Sequence, residues 1–119
     1  MTDELHLALQ DTHGPLSVVA VSGDIDFHTA PRLRAGGLEL IGQGHRRLIL
    51  DLTGVTFCDS AGLSAMIGLW HAAQEAGGSL ALAAVPDRLL NILTVTGLRA
   101  VLPVHATAAE ALAPHQQGA

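Results

Sequence analysis

One stretch limits the possible folds more than any other: Leu48-Ile49-Leu50-Asp51-Leu52, then Thr53-Gly54-Val55-Thr56-Phe57-Cys58, then Asp59-Ser60-Ala61-Gly62-Leu63. An apolar run of strand length leads through a short polar turn into a segment ending near Ala76. In that segment Leu63, Met66, Ile67, Trp70 and Ala73 recur at helical spacing. The pattern is strand, loop, helix, and it puts Ser60 at or next to the helix N-cap. A hydroxyl there accepts a hydrogen bond from a free N–H of the first turn. It also lies over the positive end of the helix macrodipole, where a negative charge is tolerated. The spacing fits an ordinary cap and a phosphate acceptor alike.

The rest of the chain repeats this alternation. Glu4 to Leu9 has the period of two of a half-buried strand, Gln10 to Pro15 reads as a turn, and Leu16 to Ser22 is a nearly continuous apolar strand. The two predict an antiparallel hairpin. Gly23 to His28 follows as a loop carrying Asp24 and Asp26, whose carboxylates point the same way if the loop is extended. A solvated turn accounts for them, and so does an acidic lip at the strand ends, where α/β sheets place working sites.

Thr29-Ala30-Pro31 starts a helix with the stripe Leu33, Gly37, Leu40, Ile41. Gly36-Gly37 inside it predicts a close backbone contact or a soft spot. Strands are expected over 47–52, 79–85 and 100–104. A third helix opens at Pro86-Asp87 with the stripe Leu89, Leu90, Leu93 and closes at Gly97. Thr107-Ala108-Ala109-Glu110 has capping-box form, so a last short helix is expected before Pro114. The sum is an α/β fold: a mixed, mostly parallel sheet of four or five strands with helices packed against it. Residues 1–113 form one domain in this reading, and 114–119 a disordered tail.

Composition removes most function classes. The 119 residues carry a net charge of −5, and all six basic residues are arginine, without clusters. Nucleic acid is therefore not an expected partner. No apolar run reaches the ~18 residues that span a bilayer, no leader pattern opens the chain, and the lone Cys58 suits a reducing compartment. A cytoplasmic protein is expected. Cys58 stands where a Gly-x-Ser-x-Gly elbow needs its first glycine, and His71 lies about three turns along the helix from Ser60. The seven histidines show no metal-ligand spacing, and no phosphate-binding glycine loop follows a strand. No catalytic residue, cofactor or metal is expected.

Two segments together resemble one family. Gly23-Asp24-Ile25-Asp26-Phe27-His28-Thr29-Ala30 is similar to the Gly-Glu-Leu-Asp-x-x-Thr-Ala motif of STAS domains, and Phe57-Cys58-Asp59-Ser60-Ala61-Gly62-Leu63 to their Met-Asp-Ser-Ser/Thr-Gly-Leu motif. Among STAS domains, a chain of this length most resembles the bacterial anti-sigma factor antagonists. The resemblance implies a partner switch, in which the unmodified protein binds an anti-sigma factor that is also an ATP-bound serine kinase and so frees a sigma factor. Phosphorylation then breaks the complex and a phosphatase resets it. Ser60 would be the acceptor and Asp59 its acidic neighbour. Asp26, with Thr29 close by, would lie near the kinase contact, with Asp24 across the loop and Ala61, Gly62 and Leu63 in the docking face. Ala61 replaces a commoner second hydroxyl, Cys58 replaces Met, and Asp24 replaces Glu. A non-switching STAS subunit of a membrane transport complex, or a small-molecule or nucleotide sensor, would share the fold.

Overall fold

The computed structural model describes residues 5–14 and 16–117. In chain order it contains β1 (His6–His13), β2 (Leu16–Ile25), α1 (Ala30–Gly42), β3 (Arg47–Cys58), α2 (Ser60–Glu75), β4 (Ser79–Ala83) and α3 (Asp87–Thr96). A short 3-10 turn (Leu98–Ala100), β5 (Val104–His105) and α4 (Ala108–Gln117) complete it. The strands lie side by side in sequence order, β1-β2-β3-β4-β5; β1 is antiparallel to β2 and all other pairs are parallel. This is the expected α/β sheet, with five strands.

Alternation along the central strands sorts their side chains onto two faces. Val19, Val21, Leu48, Leu50, Leu80 and Leu82 join Leu33 of α1, Met66 and Leu69 of α2, and Leu89 and Leu93 of α3 in one buried cluster. Three helices therefore share one face of the sheet, as same-handed crossovers between successive parallel strands require. Val18, Ile49 and Ala83 point the other way and are covered by Ala111 and Leu112 of α4. Ser17, the buried polar residue on this framework, is satisfied by His45 Nδ1 at 2.7 Å.

Gly36-Gly37 marks a close contact. A Cβ on Gly37 would lie 2.5 Å from Leu69 Cδ2, and one on Gly36 3.3 Å from Leu7 Cδ2. The buried positions of α2 are Gly62, Ala65, Met66, Leu69 and Ala73, while Leu63, Ile67 and Trp70 of the expected stripe are half-buried. The buried face is shared between the sheet and the neighbouring α1, because α2 packs on β3 and β4 with α1 at its side.

Several boundaries differ from the sequence reading, each for a local reason. β1 continues to His13 through a bulge at Gln10, so of the turn expected over 10–15 the described residues leave only Gly14 (φ +64°), Pro15 lying outside them. Its polar residues face solvent on an edge strand, so they read as turn. β4 stops at Ala83, because Ala84 takes a positive φ of 54°. The strand expected over 100–104 is a 3-10 turn, a buried Leu102, and only then β5. Pro103 has no N–H to give the ladder, though its carbonyl accepts from Leu82 N at 2.8 Å. α4 runs past Pro114 to Gln117, where the helix was expected to have ended and a disordered tail begun, and Gly118 and Ala119 lie outside the described residues.

The α1–α2 contact gives a paired test. Gly37→Ala should lower stability by about 1–3 kcal/mol through overpacking against Leu69. Gly42→Ala, at a helical position with nothing within 4 Å, should be neutral or raise it by up to ~1 kcal/mol. Urea denaturation of both variants measures the difference.

Candidate functional site

The carboxyl ends of β2 and β3 extend further than their composition suggests. β2 reaches Ile25 and β3 reaches Cys58, with register shifts between Ala20 and Ser22 and between Gly23 and Asp24. The stretches read as a loop (23–28) and a turn (53–58) are thus largely bulged strand pairing. Glycine permits it: a Cβ on Gly54 would come within 2.7 Å of Ser22 Cβ, and Gly23 has φ +95°. The extension carries two short loops side by side to one corner of the sheet.

There the two loops lock together. Asp59 N donates to Ile25 O at 3.1 Å, joining the start of α2 to the end of β2. Asp59, not Ser60, is the N-cap: its φ and ψ are −104° and −171°, and its Oδ1 accepts from Ala61 N at 2.8 Å and Gly62 N at 3.3 Å. Ser60 is the first helical residue and is exposed. Among the described residues no hydrogen bond holds its hydroxyl. With two first-turn N–H groups taken by Asp59, the Ser60 N–H is the donor left open at this helix end among the described residues.

On the facing loop, Asp26 closes an Asx turn. Its Oδ1 accepts from His28 N at 2.8 Å and Thr29 N at 3.0 Å. The Thr29 N–H above all, and then the His28 N–H, hold the carboxyl below its ordinary 3.8, while partial desolvation pulls the other way. Thr29 stands at the N-cap position of α1 but makes no side-chain capping bond; its hydroxyl donates to Asp24 O at 2.7 Å and accepts from Asp26 N at 2.9 Å. Asp24 itself accepts from Thr56 Oγ1 of β3 at 2.6 Å. The carboxylates of Asp24 and Asp26 thus serve different partners instead of forming one paired lip.

Beneath this surface, Gly62 is buried, and a Cβ there would meet Ile25 Cγ2 at 2.6 Å and Cys58 Sγ at 2.7 Å. It sets how closely α2 approaches the strands and offers no side chain for contact. Ala61 and Leu63 are half-buried against the core. The sequence reading missed the aromatic residues. The chain has two phenylalanines, and both are exposed here, Phe27 at 76% and Phe57 at 42%, while aliphatic side chains fill the core. Two phenylalanines placed inside polar turn segments are the signal that could have found them. Phe27 also borders an open apolar groove of about 630 Å³ between α1 and α2, lined further by Pro31, Arg34, Leu38, Ala61 and Ala65.

The sequence model of the STAS domain matches residues 7–111, nearly all of the fold just described. The chain belongs to the STAS domain family. An anti-sigma-B factor antagonist of Bacillus subtilis is 34% identical over 88 residues, spanning 74% of this chain and 80% of that protein. An anti-sigma F factor antagonist of Paenibacillus polymyxa is 28% identical over 101 residues, covering 84% and 86%. Among solved structures, an anti-sigma factor antagonist from Mycobacterium paratuberculosis superposes with a TM-score of 0.83 at 28% identity, covering 97% of each chain. No helix among the described residues of this STAS domain is long and apolar enough to cross a membrane.

Two measurements check the corner. Asp59→Ala should cost about 0.5–2 kcal/mol by loss of the cap, and Asp59→Asn much less. Burial, reinforced by the Asp59 carboxylate, pushes the Cys58 thiol up from 9.0 to about 11. Between those two values the unfolded chain releases the proton and the native chain keeps it, so stability should fall as pH rises from 9 to about 11. The chain has no tyrosine or lysine to titrate in that window, so Cys58→Ala should flatten the slope in urea titrations.

Proposed function

We propose that this STAS domain is an anti-sigma factor antagonist whose partner is an anti-sigma factor with serine kinase activity, and that phosphorylation of Ser60 switches the complex off. The exposed Ser60 hydroxyl, first in α2 beside the Asp59 cap, is the observation that carries this reading. The names of the relatives support the partner class. In the unmodified state the docking face comprises Ser60, Ala61, the exposed Phe27 and Phe57, and the acidic Asp26. Asp24, Thr29, Asp59 and Gly62 hold that face in shape, and Leu63 supports it from the core side. Binding sequesters the anti-sigma factor and frees its sigma factor.

Transfer of the ATP γ-phosphoryl group to Ser60 Oγ adds about 1.5–2 negative charges at neutral pH. The α2 N-terminus returns only ~0.3–1 kcal/mol to an exposed anion, and the Asp59 carboxylate already occupies Ala61 N and Gly62 N. The new charge therefore sits beside an existing one with a single open N–H to receive it. Docking would have to strip water from both charges against Ala61 and the phenylalanines, which costs more than the helix end supplies. The fold survives and affinity falls. A phosphatase that hydrolyses the ester restores binding.

The experiment uses the purified chain with its cognate kinase and ATP. Mass spectrometry should find one phosphate on the wild type and none on Ser60→Ala, which should still bind the kinase. Ser60→Asp should bind at least tenfold more weakly by calorimetry, about 1.4 kcal/mol. A phosphate retained on Ser60→Ala, for instance at the exposed Ser64 one turn along, would make Ser60 the wrong residue.

A further inference from the structure

The other end of the strand row, at β4 and β5, carries a second cavity. From the carboxyl end of β4 the chain turns through Ala84, Val85 and Pro86 into α3, on the face that carries α1 and α2. From the neighbouring β5 it turns through Ala106 and Thr107 into α4, on the opposite face. Adjacent parallel strands whose connections leave to opposite sides open a crevice beyond their carboxyl ends, the place where open α/β sheets bind ligands. A cavity of about 330 Å³ lies there, lined from the β4–α3 connection by Ala84, Val85 and Leu90, from β5 and α4 by His105 and Glu110, and by Arg99 of the 3-10 turn that follows α3. That size is within the range of small-molecule sites.

Three observations make it more than a dent. Arg99 and Glu110 both line it, yet among the described residues the one ion pair is His13–Asp11, so neither charge is neutralised by the other. Ala84, whose N–H donates to His105 O at 3.0 Å, is the one non-glycine residue with positive φ among the described residues, at 54°. Such strain concentrates where backbone is held for a ligand. Apart from His105, the rest of the wall is aliphatic: Val85, Leu90, Val104 and Ala106.

We propose that this crevice binds a small organic oxyanion, a phosphate monoester or carboxylate, whose anionic group meets Arg99 and whose hydroxyl or amino group donates to Glu110. The guanidinium presents a planar fork of donors suited to either oxyanion, Glu110 accepts, and the apolar wall takes a short carbon skeleton. The site is separate from the Ser60 corner and does not rest on the switching mechanism.

The test is an amide chemical-shift titration of the isotope-labelled chain with methyl phosphate, glycerol phosphate, adenosine monophosphate and succinate. A saturable shift at Ala84, Val85, Arg99, His105 and Ala106, with Ser60 and Ala61 unmoved, is expected for at least one probe. Succinate against the phosphates identifies which oxyanion is preferred. Arg99 is exposed, so Arg99→Gln should keep the wild-type circular dichroism and weaken binding at least tenfold, while Arg99→Lys retains part of it. Glu110→Ala should abolish the preference for glycerol phosphate over methyl phosphate. Absence of any saturable shift, a shift centred on the start of α2, or binding undiminished in Arg99→Gln would each overturn the proposal.

Discussion

The hydrogen bond from Asp59 N to Ile25 O carries the β2–β3 pairing one step further, onto the start of α2. Ile25 is the last residue of β2 and fully buried, and Asp59 is the cap of α2, so one contact fixes where the helix begins relative to the strand. The absence of a Cβ on Gly62 lets the helix close onto Ile25 and Cys58. Further along α2, Leu69 reaches Gly37, and that contact sets α1. The loop entering α1 is braced in turn by Thr29 on Asp24 and Asp26. A helix end held by backbone and cap together does not need the Ser60 side chain.

That separation is what the proposed switch requires: a modification at Ser60 would not disturb the helix cap. Had Ser60 been the cap, as its spacing allowed, an ester on its oxygen would have removed a helix-capping hydrogen bond worth about 1 kcal/mol and perturbed the fold. Because Asp59 caps, the hydroxyl has no structural duty among the described residues. In the proposed switch, a charge there would act on the binding partner and not on the fold. The same cap makes the corner negative in advance, so added charge meets repulsion at short range, where screening is weakest.

Apolar periodicity made most of the scaffold legible. The runs at Leu16–Val21 and Leu48–Leu52 can only be buried strands, and the Gly97 stop of α3 and the Thr107 hydroxyl accepting from Glu110 N fall where residue type required. What escaped was structure whose stabilisation is not local. Gly54, Thr56 and Asp24 read as turn residues because strand pairing through bulges, with a Thr56–Asp24 bond across strands, leaves no periodic trace. The edge strand β1 read short for a similar reason, its outer residues being as polar as a loop. Of the site, the hydroxyl and its acidic neighbours were visible in the motifs. The exposure of Phe27 and Phe57 was not, because a hydrophobic residue in a small chain is assigned to the core by default.

The position of α4 follows from the sheet itself. Three successive crossovers between β2, β3, β4 and β5 stack α1, α2 and α3 on one face, and leave Val18, Ile49 and Ala83 bare on the other. At about 25 cal/mol per Å² such a strip is too costly to leave in water, so the chain must cross to that side once the last strand is laid. Alanines suit the crossing: Ala83 and Ala81 below with Ala108 and Ala111 above let α4 lie close to a flat strand surface. The crossing has to occur at the end of β5, and it parts the chain from the β4 connection that leaves the other way. A crevice at that spot is therefore a geometric consequence of covering the second face. Nothing in that geometry, however, requires an arginine and a glutamate to line the crevice without pairing, or Ala84 to be held at positive φ beside them.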